Sequence, residues 1–85
     1  MAENHRARRT VELIAEVLEV EPSEVKVSDR LRDDLGLDSL QSLELLSLLA
    51  EELRVDLPME AAMDLGTVKD ACEFVERAYQ DTRDA

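Results

Sequence analysis

The sequence has 85 residues, enough for one domain with a single modest core and too few for the two-layer machinery of most enzymes. Its 21 acidic and 10 basic residues leave a net charge of −11, which repels nucleic-acid phosphates and anionic lipid surfaces and predicts partners with basic patches. Hydrophobic residues form 45% of the chain, so it can bury a core and is not a disordered acidic tail. The same charge predicts a monomer, because copies of the chain repel one another.

Cysteine content and hydropathy indicate the cellular compartment of the protein. The single cysteine, Cys72, excludes an intramolecular disulfide and suits a reducing compartment, so the expected location is the cytoplasm. No apolar run is long enough to span a membrane, and the basic start with Arg6, Arg8 and Arg9 lacks the apolar core of a secretory signal. We therefore expect no insertion into a membrane.

The first predicted helix covers residues from about 6 to 19, and Glu21-Pro22-Ser23 ends it. Its apolar residues recur at helical spacing: Val11, Ile14, Val17 and Leu18. From there to Leu37, short apolar anchors alternate with charged residues in no sustained helical period. This stretch predicts a long, pinned loop that contains at most a helical turn. The anchors are Val25, Val27, Leu31 and Leu35.

The second predicted helix begins at Ser39 and runs to about residue 54. Leucines mark it at helical spacing: Leu40, Leu43, Leu46, Leu49 and Leu53, with Leu45 and Leu48 widening the stripe. Asp38 is the predicted N-cap, and Gln41 completes a capping-box variant that places the boundary at Ser39. Ser39 should therefore be exposed at the positive end of the helix, where a phosphate on its hydroxyl would meet free backbone N–H groups.

The remaining chain predicts two more helices. Leu57-Pro58 breaks the chain, and residues 59–65 fit a short helix that stops at Gly66. Thr67 can then cap a last helix together with Asp70, three residues later. We predict one all-α domain over residues 1–85, with a core of about 6–80, built as a small four-helix bundle of three main helices and one short helix.

The residues around Ser39 resemble the signature of the acyl carrier protein family, because Asp38-Ser39-Leu40 is preceded by Gly36 and followed by Glu44-Leu45. The similarity continues through residues 31–35, 51–53, 57–58 and 67–68 and covers about residues 10 to 80. It implies that Ser39 carries 4′-phosphopantetheine from coenzyme A, attached by a phosphopantetheinyl transferase. It also implies a carrier without catalytic residues, which holds acyl groups as thioesters for fatty-acid, polyketide or related specialised lipid biosynthesis.

The same resemblance implies a partner surface and an acyl pocket. The second helix would dock on basic patches of the transferase and of acyl-processing synthases, ketosynthases, acyltransferases or ligases, through Asp38, Leu40, Leu43, Glu44 and Glu51. An acyl chain would slip between the helices, and the candidate lining residues are Leu49, Leu53, Leu57, Ala62, Leu65, Ala71 and Val75. Three positions depart from the usual family pattern and indicate an altered partner surface: Gln41, Ser47 and Met59.

Other interpretations stay open at this point. A peptidyl or aminoacyl carrier is the alternative among carriers, although its attachment serine more often follows glycine-histidine or glycine-aspartate than Leu37-Asp38. An acidic helical adaptor without a prosthetic group is an alternative from another class. A hydrolase is disfavoured, because the segment lacks the second glycine of a nucleophile elbow and the single histidine, His5, lies near the N-terminus. The acidic run from Asp29 to Asp38 does not match the spacing of a calcium-binding loop, so no metal site is expected.

Overall fold

The computed structural model describes residues 5–58, 60 and 65–84, with side chains up to residue 81. This part of the chain contains three α-helices: α1, His5–Leu18; α2, Ser39–Leu53; and α3, Val68–Asp84. A single 3-10 turn, Pro22–Glu24, lies in the long connection between α1 and α2. Within these residues the only strand-like pairing is an isolated antiparallel bridge between Arg30 and Thr67. The predicted all-helical class is confirmed.

The short third helix of the predicted four-helix bundle is not confirmed. Of the residues 59–65 assigned to it, only Glu60 and Leu65 belong to the described part of the chain. The candidate pocket residue Ala62 and the variant position Met59 lie outside the described residues. The described architecture is therefore a bundle of three helices.

α1 ends one residue earlier than predicted, because Glu19 adopts the left-handed conformation with φ 60°. Two backbone hydrogen bonds close this end, from Val20 N–H to the Ala15 carbonyl at 2.9 Å and from Glu19 N–H to the Glu16 carbonyl at 3.2 Å. Together they form a Schellman motif, which satisfies the last carbonyl groups of the helix. Pro22 therefore does not stop α1 but begins the 3-10 turn, where its fixed φ is favourable.

The core lies where α1 packs against both α2 and α3. α1 and α2 contribute Leu13, Ile14, Leu45, Leu46 and Leu49, and α3 contributes Val68, Ala71, Val75 and Ala78. Two of the four predicted loop anchors, Val25 and Leu31, are buried as well, and Leu35 packs against the core. Val27 is 58% exposed, so its assignment as an anchor was wrong. The reason is that its backbone, and not its side chain, makes the contact with α3.

The long loop is pinned to the start of α3 by backbone hydrogen bonds. Leu31 N–H donates to the Gly66 carbonyl at 2.9 Å, and Val68 and Lys69 N–H groups donate at 3.0 Å to the carbonyls of Asp29 and Val27. The first N–H groups of a helix have no partner within the helix, so the loop satisfies donors that α3 would otherwise leave open. The predicted box at this end is also confirmed, because Thr67 Oγ1 accepts from Asp70 N–H and Asp70 Oδ2 accepts from Thr67 N–H, each at 3.1 Å.

Candidate functional site

The loop delivers the chain to the start of α2 through a turn at Gly36, which has φ +74°. Gly36 N–H donates to the Arg32 carbonyl at 3.1 Å, and Leu37 N–H donates to the Leu31 carbonyl at 2.8 Å. A left-handed φ is strained for residues with a side chain, which explains a glycine here. Leu37 is then buried in the core, so the two residues that follow it are held at the surface in a fixed position.

Asp38 caps α2 and makes Ser39 its first helical residue, as predicted. Asp38 Oδ1 accepts from Gln41 N–H at 2.7 Å, and Gln41 Oε1 accepts from Asp38 N–H at 3.1 Å. The capping box is thus complete, with glutamine in the place where glutamate is also common. Gln41, one of the positions that depart from the family pattern, has a local structural role here.

The two serines at the start of α2 have opposite environments. Ser39 is exposed, whereas Ser42 is buried and its hydroxyl donates to the Asp38 carbonyl at 2.9 Å. An exposed hydroxyl on the first turn fits a phosphate ester, because the helix dipole and the open N–H groups of this turn stabilise an anion. The sequence indicated Ser39, and the burial of Ser42 removes the neighbouring hydroxyl as a competitor.

The residues proposed for partner binding lie on the solvent side of α2. Leu40 is 74% exposed and Leu43 39% exposed, although most large apolar side chains of the described residues are covered. Asp38, Glu44 and Glu51 are exposed as well. Positions 40, 43, 44, 47 and 51 share one helical face by their spacing, so Ser47 belongs to the same surface. We call these five residues together with Asp38 the docking face.

The candidate acyl-pocket residues come together in the core. Leu49, Leu57, Ala71 and Val75 are buried in one apolar cluster, and Leu53 and Leu65 pack against it. The seventh candidate, Ala62, is outside the described residues. Leu65 also reaches the surface at a cleft beside the loop, where arginines lie that the sequence analysis did not single out. No local pattern marks that cleft, since the pairing of residue 30 with residue 67 creates it.

The loop that precedes α2 carries an exposed ionic cluster around Arg30. Its guanidinium lies 3.4 Å from Asp34 Oδ2 and 3.6 Å from Asp33 Oδ2, and its backbone N–H donates to Asp34 Oδ2 at 2.8 Å. The backbone hydrogen bond, supported by the guanidinium, lowers the pKa of Asp34 below its usual value. Asp34 therefore stays ionised and keeps this turn of the loop closed at neutral pH.

The remaining reactive side chains do not assemble into a catalytic or metal site within the described residues. Cys72 is half-buried on α3, its Sγ lies 3.8 Å from the Ala7 carbonyl oxygen, and burial raises the pKa of its thiol. His5 is exposed at the first residue of α1. Among the described residues, no three His, Cys, Asp or Glu side chains are grouped so as to hold a metal ion. The helices of this same part are all too short or too polar to cross a membrane.

Comparison with known proteins places the chain among carriers. The family described as "Phosphopantetheine attachment site" matches residues 8–75. An acyl carrier protein of Prochlorococcus marinus (strain MIT 9515) is 37% identical over 76 residues, which cover 89% of this chain and 95% of that protein. An acyl carrier protein of Treponema pallidum (strain Nichols) is 43% identical over 63 residues, covering 74% of this chain and 81% of that protein.

A solved structure supports the fold. The solution structure of the apo doublet acyl carrier protein from prodigiosin biosynthesis superimposes with a TM-score of 0.75 at 24% identity. The match covers 85% of this chain and 35% of that longer chain. At this level of identity the likeness concerns the arrangement of helices, which agrees with the three helices described above.

Proposed function

The chain belongs to the acyl carrier protein family, and we propose that Ser39 is the residue to which its 4′-phosphopantetheine is attached. Members of this family are carriers and not enzymes, and a phosphopantetheinyl transferase and acyl-processing enzymes act on them. The observation that carries the assignment is the exposed Ser39 hydroxyl on the capped first turn of α2, beside a buried Ser42. Family membership also favours the carrier over an adaptor that lacks a prosthetic group.

The chemistry asked of Ser39 is a single substitution at phosphorus. Ser39 Oγ forms a bond to the phosphorus of coenzyme A next to the pantetheine, the pyrophosphate P–O bond breaks, and adenosine 3′,5′-bisphosphate leaves. The hydroxyl proton passes to a base of the transferase, while Asp38 Oδ1 continues to accept from Gln41 N–H in the cap. The new phosphodiester keeps one negative charge next to the first turn of α2, where the helix dipole stabilises it. The bound group supplies a terminal thiol that holds acyl groups as thioesters.

The docking face would bring each partner enzyme to Ser39. Its exposed leucines offer apolar contact, while Asp38, Glu44 and Glu51 attract a basic patch. Such charge complementarity gives fast and salt-sensitive association without a large interface, which suits a carrier that must leave again. Ser47 makes the docking face less apolar than is usual in the family, and Gln41 makes the neighbouring first turn of α2 less acidic. Both differences favour a dedicated set of partners.

We also propose the finer features of this function. The names of the curated relatives favour an acyl over a peptidyl carrier, in fatty-acid, polyketide or related specialised lipid biosynthesis. The buried side chains around Leu49, Ala71 and Val75 would move apart to accommodate an acyl chain. The free thiol and the net charge of −11 favour a monomer in the cytoplasm.

Intact mass spectrometry tests the attachment. The purified protein is incubated with coenzyme A, magnesium and a broad-specificity phosphopantetheinyl transferase, and its mass is compared before and after. Wild type should gain the mass of one phosphopantetheine, and Ser39→Ala should gain none. Ser28→Ala is the matched control, because it removes an exposed serine hydroxyl from the loop, outside the docking face, and should leave the modification intact. A mass gain in Ser39→Ala would refute the assignment.

A further inference from the structure

The first turn of α2 contains two backbone N–H groups that are open for a ligand. Gln41 N–H donates to Asp38 Oδ1 at 2.7 Å, whereas no described residue accepts from the N–H groups of Ser39 and Leu40. The start of a helix leaves such donors without a partner inside the helix, and they attract anions. A phosphodiester on Ser39 would be attached beside both of them. We call these two N–H groups the open pair.

The side chains of this part of the chain do not favour a phosphate. Between Arg32 and Arg54 the sequence has no lysine or arginine, and its exposed residues include Asp38 and Glu44. Asp38 precedes Ser39 directly and already places one carboxylate at the turn. Within this stretch, attraction for the phosphodiester therefore comes from the open pair and the helix dipole, and each further carboxylate would oppose it.

Gln41 completes the cap of α2 without adding such a carboxylate. Its Oε1 accepts from Asp38 N–H at 3.1 Å, which is the hydrogen bond that a glutamate makes in a capping box. A neutral amide thus does the structural task of a carboxylate at this helix start.

The two other boxes among the described residues use a carboxylate for this task. Glu24 Oε2 accepts from Glu21 N–H at 3.1 Å, and Asp70 Oδ2 accepts from Thr67 N–H at 3.1 Å. The helix dipole favours a negative charge at such a position, so an amide gives up that stabilisation. The amide occurs at the turn that carries the proposed attachment site. This contrast favours a reason other than helix stability for the missing charge.

The side chain of Gln41 is close enough to Ser39 for its charge to matter. Its Oε1 lies 3.1 Å from the backbone nitrogen of Asp38, and the extended backbone of Asp38, with ψ −179°, places that nitrogen about 3.7 Å from the nitrogen of Ser39. Oε1 is therefore at most about 7 Å from the Ser39 nitrogen. Repulsion between two unit charges at about 7 Å in water changes an equilibrium about threefold. A carboxylate at position 41 would lower the ratio of bound to unbound phosphodiester by about that factor.

We propose that Gln41 is a positioning residue for the phosphodiester on Ser39. It closes the cap of α2 as an uncharged group and thereby lets the phosphodiester stay on the open pair. This role rests on the attachment at Ser39 proposed above. A phosphodiester held on these N–H groups fixes the origin of the arm at the first turn of α2, so the arm leaves the protein from one place beside the docking face.

NMR of the purified protein tests this role. A phosphopantetheinyl transferase converts the apo protein to the holo form, intact mass confirms full conversion, and the amide ¹H shift of Leu40 is compared between the two forms. A hydrogen bond to the phosphodiester should move this signal downfield in wild type. In Gln41→Glu the movement should be smaller by about a third at low salt. The difference from wild type should fade at about 1 M salt, where charges are screened beyond about 3 Å.

Further variants separate the charge of residue 41 from its capping role. Gln41→Met removes the acceptor of Asp38 N–H without adding charge, so Tm should fall by about 2 to 4 °C while the Leu40 shift stays at the wild-type value. Gln41→Glu should keep the Tm of wild type, because a carboxylate closes the box as well. Gln80→Glu makes the same change at an exposed position of α3 and should leave the Leu40 shift unaltered.

The outcomes distinguish this role from the attachment itself. A Leu40 signal that does not move in wild type, or that moves equally in wild type and Gln41→Glu at low salt, would overturn the positioning role. A reduced movement in Gln41→Met or in Gln80→Glu would overturn it too, because the cause would then be the cap or the net charge. Failure of wild type to gain the arm, or gain of the arm by Ser39→Ala, would instead overturn the attachment at Ser39.

Discussion

Arg6 and Glu76, seventy positions apart, join α1 to α3 by a two-pronged ion pair. Arg6 Nε donates to Glu76 Oε1 at 2.9 Å and Nη2 donates to Oε2 at 2.7 Å, while the guanidinium lies 3.9 Å from the centre of the Tyr79 ring. The hydrogen bond to Glu76 raises the pKa of Arg6. A second pair, between Arg9 Nε and Glu52 Oε2, joins α1 to α2 at 3.2 Å.

We expect the Arg6–Glu76 pair to stabilise the fold more than the Arg9–Glu52 pair, because it is shorter, two-pronged and stacked on an aromatic ring. Both carboxylates are at least partly exposed, so the coupling energies remain modest, about 1 kcal/mol for the first pair and less for the second. Double-mutant cycles with Arg→Gln and Glu→Gln changes, read by urea unfolding, measure both values. Equal coupling energies in the two cycles would contradict this expectation, because the better geometry of the Arg6–Glu76 pair would then add no stability.

Loss of the cap should weaken the start of α2. Asp38→Ala removes the acceptor of Gln41 N–H, and the expected loss in free energy of unfolding is about 1 kcal/mol. For a domain of this size that corresponds to a fall in Tm of about 4 to 8 °C. Asp56→Ala, which changes an exposed aspartate beyond α2, is the matched control. If both variants unfold alike, the capping box contributes nothing measurable.

The end of α2 offers a change that should raise stability. Arg54 occupies the left-handed cap with φ 56°, a conformation that glycine adopts without strain. Arg54→Gly should therefore increase the free energy of unfolding by about 0.5 kcal/mol. The same substitution inside α3, Arg77→Gly, should lower it by about 1 kcal/mol, since glycine is unfavourable within a helix. Chemical denaturation should show changes in the free energy of unfolding of opposite sign for Arg54→Gly and Arg77→Gly. Changes of the same sign would contradict this explanation.

Cys72 should react slowly with thiol reagents in the folded protein. Its half-buried position raises the pKa of the thiol and reduces the fraction of reactive thiolate. We expect alkylation by iodoacetamide at pH 8 to be at least about tenfold slower than in the protein unfolded in guanidinium chloride. Mass spectrometry follows the reaction, and equal rates in the two states would mean that the thiol is fully accessible.

Charge reversal on the docking face should impair recognition by the transferase. Glu44→Lys places a cation among the acidic residues that would meet a basic patch, and kcat/KM for phosphopantetheine transfer should fall about tenfold at low salt. The loss should shrink as salt is added, because screening weakens both attraction and repulsion. Glu73→Lys makes the same change on an exposed position of α3. A similar fall in kcat/KM for Glu73→Lys would show that the effect depends on the net charge of the protein and not on the docking face.

Local signals in the sequence were sufficient for the main helices. The Asp38–Gln41 and Thr67–Asp70 boxes link residues three positions apart, so both helix starts were predictable to the residue. The end of α1 was missed by one residue, because the left-handed turn at Glu19 carries no glycine to mark it. The leucine pattern of α2 did not by itself distinguish buried from exposed leucines. Leu45, Leu46 and Leu49 are buried, but Leu40 and Leu43 are exposed.

The sequence by itself determined the helical class, the position of Ser39 at a capped helix start and the acidic character of the chain, because these depend on composition and on neighbours within one helical turn. Only the tertiary structure decided that Ser42 is buried beside an exposed Ser39, that Arg6 meets Glu76, and that Arg30 and Arg32 line a cleft with Gly66 and Thr67. Those contacts depend on how the loop and the three helices pack together, and most of them join residues far apart in the chain. No local pattern records that packing.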